Sequence, residues 1–94
     1  MRTMVVQMTL DPARPDEVDR HLREDVVAWA KQQPGFISGR WLRSLDSTAG
    51  MGVVTFDSED AANAAAATPR SIVYPEDKAW AIARVDIYEQ VAEA

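Results

Sequence analysis

Ninety-four residues, 47% of them hydrophobic and 27% charged, suffice for one globular domain with one core and exclude a disordered or fibrous chain. A formal net charge of −5, from 15 acidic and 10 basic side chains with no run of Lys or Arg, repels phosphate backbones and argues against nucleic acid as a partner. The absence of cysteine removes disulfides, thiolate nucleophiles and thiolate metal sites together. No apolar run approaches the roughly 20 residues needed to span a bilayer, and the first residues lack the pattern of a signal peptide, so a cytoplasmic protein with no membrane partner is expected.

Thr3 to Leu10, TMVVQMTL, is rich in β-branched and apolar residues and stops at Asp11-Pro12, which predicts a first strand. Pro15, Asp16 and Glu17 then open a helix, with proline in the first turn and two carboxylates near the positive end of the dipole. Val18, Leu22, Val26, Trp29 and Gln33 recur at spacings of three and four, marking one face of a helix that runs to about Gln33 and is ended by Pro34. Pro34-Gly35 turns the chain at once into a second strand, Phe36 to about Leu45, with Phe36 directed beneath the helix just left.

Asp46 to Gly50 reads as a turn and Met51 to Phe56 as a third strand, paired with the second in a hairpin. Ser58 caps a second helix, Glu59 and Asp60 occupy its first turn, and Thr68-Pro69 closes it. The alanines from Ala61 to Ala67, broken only by Asn63, allow that helix to lie close to a sheet. Arg70 to Lys78 is irregular, and Trp80 to Val91 alternates enough to form a fourth strand.

The order β-α-β-β-α-β predicts an α+β, ferredoxin-like sandwich in which one four-stranded antiparallel sheet carries both helices on one face. The strands bear apolar residues on both faces (Met4, Val6 and Met8 against Val5; Val85 and Ile87 against Ile82 and Tyr88). Two helices cover only one face, so a homodimer is expected.

His21 is the chain's one histidine, and Asp25 follows it by one helical turn. On a 3.6-residue wheel Asp25 falls within the stripe of Val18, Leu22 and Trp29, with His21 at its edge. One reading is an imidazole oriented by a carboxylate, able to take a proton from a phenol or quinol in a pocket under the first helix, with His21 as catalytic base. The plainer alternative is a half-exposed pair of little energetic worth. A lone histidine without a second histidine or a cysteine supplies too few of the usual metal ligands, so no metal is expected.

Trp29, Trp41, Trp80, Phe36, Phe56, Tyr74 and Tyr88 either stack a flat ligand or fill the core and an interface. Tyr74 and Trp80 flank the irregular Pro75 segment, where a pocket mouth is expected, and together with Asp25 and Trp29 they are the candidate ligand-binding residues. Arg84 and Gln7 are expected to be neighbours on the last and first strands, either orienting a carbonyl or leaving Arg84 to pair with Asp86 or Glu89. No Ser-His-Asp order, phosphate-cradling glycine loop or nucleotide fingerprint occurs. RNA binding through the same element order fails on charge and on the missing aromatic ribonucleoprotein motif.

The PGF turn at Pro34-Gly35-Phe36 and the run VVTFDSEDAANAA from Val53, passing from strand to capped helix, resemble the antibiotic-biosynthesis-monooxygenase-like family of dimeric α+β barrels. The resemblance spans nearly the whole chain and implies a ferredoxin-like protomer with a small pocket between sheet and helices. It also implies either cofactor-independent oxidation of an aromatic or polyketide-like molecule, as in some members, or a non-catalytic ligand-binding or assembly role. Haem-degrading members use an Asn on strand one, a Trp within helix two and a His beyond it. Here those places hold Val6 or Gln7, alanines and no histidine, so neither haem nor another cofactor is expected.

Overall fold

In a computed structural model the chain is described over residues 1–72 and 78–94. Strands β1 (Arg2–Leu10), β2 (Phe36–Arg43), β3 (Ala49–Phe56) and β4 (Trp80–Glu89) form one sheet in the order β2-β3-β1-β4, every neighbouring pair antiparallel. A first helix joins β1 to β2, and a second helix (Glu59–Ser71) joins β3 to β4. Both lie on one face of the sheet, as the element order predicts.

The inner face is built by strand alternation. Met4 opposes Val54 and Ile87, Val6 opposes Gly52 and Val85, and Met8 opposes Gly50 and Ile82. Met4, Val6, Val54 and Phe56 meet Ala62, Ala65 and Ala66 of the second helix in one buried cluster. Those three alanines leave the helix backbone close to the sheet, so Phe56 and Met4 lose essentially all contact with water. Burial of each such large side chain contributes about 1.5–3 kcal/mol.

The register departs from simple alternation twice. Between Gln7 and Met8 the pairing with β4 shifts from Arg84 to Ile82, leaving Ala83 as the extra residue of a bulge. Ile82 therefore shares the inner face with Val85 and Ile87 rather than opposing them, a correction to the sequence-based assignment. A second bulge, between Phe36 and Ser38, leaves Ile37 unpaired and 47% exposed. The outer face retains Val5, Met51, Val53 and Tyr88 among threonines and charged residues.

Pro34-Gly35 does more than end a helix. Gly35 has φ of +79°, where only glycine is unstrained, and its carbonyl accepts the Asp57 N–H at 2.9 Å. A Cβ at Gly35 would lie 2.5 Å from Asp57 Oδ1 and 2.7 Å from the Ala61 side chain. The turn is thus pinned to the start of the second helix, where Ser58 Oγ accepts the Ala61 N–H at 3.1 Å. Phe36 pairs with Phe56 at that junction and packs against the core.

The second helix continues through Pro69 to Ser71 rather than closing at Thr68-Pro69. Pro69 is buried within its last turn. In the hairpin turn, Asp46 Oδ1 accepts from Ser44 Oγ (2.7 Å), Thr48 Oγ1 (2.7 Å) and Thr48 N–H (3.1 Å). The hydrogen bonds from Ser44 and Thr48 hold its carboxyl down at about 2. Among the described residues no helix is long and apolar enough to cross a membrane.

Candidate functional site

The first helix is continuous but not uniform. Pro15–His21 is α-helical, Leu22–Val26 is π-helical, with the Val27 N–H donating to the Leu22 carbonyl, and Val27–Lys31 is α-helical again. A π stretch bonds i to i+5 and winds less per residue than an α-helix. Val26 keeps its expected place on the sheet side, while Asp25, expected inside the apolar stripe, is rotated to the edge with 70% of its side chain exposed. His21 takes the opposite course, from the expected edge to a side chain only 21% exposed.

Between this helix, the end of the second helix and the sheet lies a cavity of about 210 Å³. Met4, Val6 and Met8 of β1 and Val54 of β3 floor it, Trp41 and Ile82 stand on the outer strands, Val26 and Trp29 come from the first helix, and Thr68, Pro69 and Ile72 from the end of the second. Its polar side chains among the described residues, indoles aside, are His21, Asp25 and Thr68. Among the described residues no Lys or Arg lines it.

The polar corner is built from two elements. His21 stacks on Trp80 with ring centroids 3.9 Å apart and planes 12° from parallel. Trp80 is set there by pairing with Leu10 and by the preceding Ala79, which is buried and whose carbonyl accepts the Asp11 N–H at 2.8 Å. Lys78 Nζ lies 5.5 Å from the Trp80 ring centroid. His21 Nδ1 is 3.0 Å from Asp25 Oδ2. With Nδ1–H donating to that carboxylate, the neutral imidazole keeps its lone pair on Nε2, the tautomer suited to accepting a proton. An exposed pair of this kind adds little stability, so its effect is on the orientation of the ring.

Of the residues singled out in the sequence, His21, Asp25, Trp29 and Trp80 line this one cavity. Tyr74 lies outside the described residues. Trp41, considered only as one aromatic among several, lines the cavity as well. Two glycines beside that tryptophan, Gly39 two residues earlier on the same strand and Gly52 across the hairpin, are the signal that marks it out. Phe56 is in the closed core, and Tyr88 lies 49% exposed. Gln7 and Arg84 are paired neighbours, but Arg84 Nε contacts Asp86 Oδ2 at 2.5 Å, the surface-pair alternative. Asn63 is exposed and outside the cavity. Among the described residues no group of three His, Cys, Asp or Glu side chains is placed to hold a metal ion.

Neither the sequence models of known families nor the curated protein sequences yield a match to this chain. Solved structures do. MhuD, a heme-degrader from Mycobacterium tuberculosis solved with two hemes in its active site, superposes with a TM-score of 0.76 at 16% identity, covering 100% of this chain and 99% of that one. HapK from Hahella chejuensis gives 0.71 at 14% identity, covering 100% and 96%. A monooxygenase from the gene ActVA-Orf6 of Streptomyces coelicolor, in complex with nanaomycin D, gives 0.69 at 21% identity, covering 99% and 89%. The chain therefore has the antibiotic-biosynthesis-monooxygenase-like fold that its sequence resembles.

Proposed function

We propose that the cavity binds a flat, weakly acidic aromatic or polyketide-like molecule and that His21 removes a proton from it. The single observation that carries this reading is one oriented imidazole at the polar corner of a cavity whose described lining is mainly apolar. Such a site separates the two halves of an amphipathic ligand, rings against Trp29 and the aliphatic side chains, hydroxyl against His21. Proton removal leaves an electron-rich anion that dioxygen can oxidise without a metal or organic cofactor. One oxygen atom then enters the ring as a carbonyl in place of two hydrogens, and the other leaves as water. Structural likeness to a monooxygenase crystallised with nanaomycin D supports this chemistry.

A second reading, ligand binding without chemistry, is favoured by the exposure of Asp25, since a base open to water loses part of the advantage of a closed site. In either reading the protein acts as a homodimer, supported by Val5, Val53 and Tyr88 on the face the helices leave uncovered. Oxygen uptake measured with a panel of one-, two- and three-ring phenols and quinols, alongside calorimetric binding of the same compounds, separates the two. Uptake that depends on substrate and disappears in His21→Ala supports the enzyme; binding without uptake supports the second reading; no binding refutes both.

A further inference from the structure

We propose that Trp41 sets the length of the cavity and limits its ligand to about two fused rings, an inference that rests on the aromatic-binding reading above. The polar corner and Trp41 belong to opposite edges of the sheet. Trp80, on which His21 stacks, opens β4, whereas Trp41 is on β2, and β3 and β1 lie between them. Three inter-strand steps of about 4.8 Å, together with the four-residue offset along β1 between Leu10, which pairs with Trp80, and Val6, which faces Trp41 through Gly52, separate those backbones diagonally by roughly 20 Å. A ring anchored by its hydroxyl at His21 therefore extends across β1 and β3 toward Trp41.

Trp41 is held down at that end by what its neighbours lack. Its indole lies over two glycines: a Cβ at Gly39 would be 2.8 Å from Trp41 Cη2, and one at Gly52, its cross-strand partner, 2.9 Å from Nε1 and 3.0 Å from Cδ1. Neither glycine needs a positive φ, so close approach of the indole is what these positions accommodate. The ring thus lies along the floor and closes the apolar end without standing up into the space.

The remaining volume, about 210 Å³, is small. A dry apolar cavity of ~150 Å³ accepts benzene, and sites for drug-sized ligands run from about 300 Å³ upward. One ring beyond benzene fits; a third must either displace Trp41 or project past the exposed Asp25 carboxylate, where its apolar surface stays in water.

Calorimetric titration with phenol, 2-naphthol and a three-ring phenol tests this in the wild type, Trp41→Ala and Gly52→Ala. The wild type is expected to bind 2-naphthol about tenfold or more tighter than either of the others. Trp41→Ala should raise the three-ring affinity to at least that of 2-naphthol. Gly52→Ala, whose new methyl must tilt the indole up into the cavity, should weaken 2-naphthol about tenfold while phenol changes little. If Trp41→Ala does not fold, the opposite-signed effect of Gly52→Ala decides alone. Equal wild-type affinity for two and three rings, or variants that leave the preference unchanged, overturns the role of Trp41 alone. Failure of all three compounds to bind the wild type overturns the aromatic-binding reading with it.

Discussion

His21 and Trp80 lie face to face, 3.9 Å between ring centroids, although one belongs to the first helix and the other opens the last strand. The contact fixes the imidazole plane from one side, and Asp25 fixes its rotation from the other. His21→Ala should therefore lower oxygen-dependent turnover about 10²–10⁴-fold, the usual contribution of a positioned general base. Asp25→Ala, which removes only the orienting carboxylate, should cost less. Both variants should keep the wild-type mass in light scattering, and a His21→Ala enzyme of undiminished rate would sink the assignment.

The uncovered sheet face predicts a mass of twice 10.4 kDa at micromolar concentration. Val5 and Val53 oppose each other on that face, while their neighbours Met4 and Val54 are in the core. Val53→Glu should shift the light-scattering mass toward the monomer and leave the far-ultraviolet circular dichroism intact. A monomeric wild type contradicts the dimer directly.

Gly35→Ala should destabilise the protein by about 1–3 kcal/mol, because an alanine must occupy the left-handed region and meet Asp57 and Ala61 at the same time. Urea unfolding should show a lower midpoint with little change in slope. An unchanged midpoint would mean that the turn relaxes away from the second helix.

Asp46 gives a pH dependence with a defined sign. Its carboxyl is held at about 2 in the folded chain against an ordinary 3.8, so its contribution to stability is fully present above about 4 and is lost as pH falls through about 2. Asp46→Ala should be less stable than the wild type at pH 5, and the difference should shrink as pH falls through about 2. Chemical unfolding at a series of pH values checks this.

Haem should not bind stoichiometrically. The cavity has no Lys or Arg in its described lining to meet propionates, and its one imidazole is stacked on Trp80 and bonded to Asp25. Titration with haem should give no saturable Soret band at one equivalent.

Much of the architecture is legible in the sequence because it follows from local rules. Ser58 caps, Pro15 starts, Pro34-Gly35 turns, and β-branched runs alternate over the strands where they were expected. What escapes is what depends on packing between elements. The bulge at Ala83 moves Ile82 to the inner face, yet nothing in the local alternation announces it. Asp25 is the clearest case. A uniform helix of 3.6 residues per turn places it in the apolar stripe, and the π stretch takes it out again. Val18 and Ala30, on either side of that widened turn, are both buried, a tertiary arrangement that a uniform local period does not describe.

The π stretch also works as a phase adjuster between two fixed ends. Downstream of it, Trp29 and the PGF turn are keyed to the sheet and the second helix; upstream, His21 is keyed to Trp80. One residue corresponds to about 100° of rotation in an α-helix. Removing one residue, such as the exposed Glu24, would let the helix close into regular α form with its two ends still in phase, whereas winding all of the present residues as regular α-helix would swing one end by about that angle relative to the other. His21 and Trp29 would then no longer face the same cavity, even though every side chain in it was still encoded.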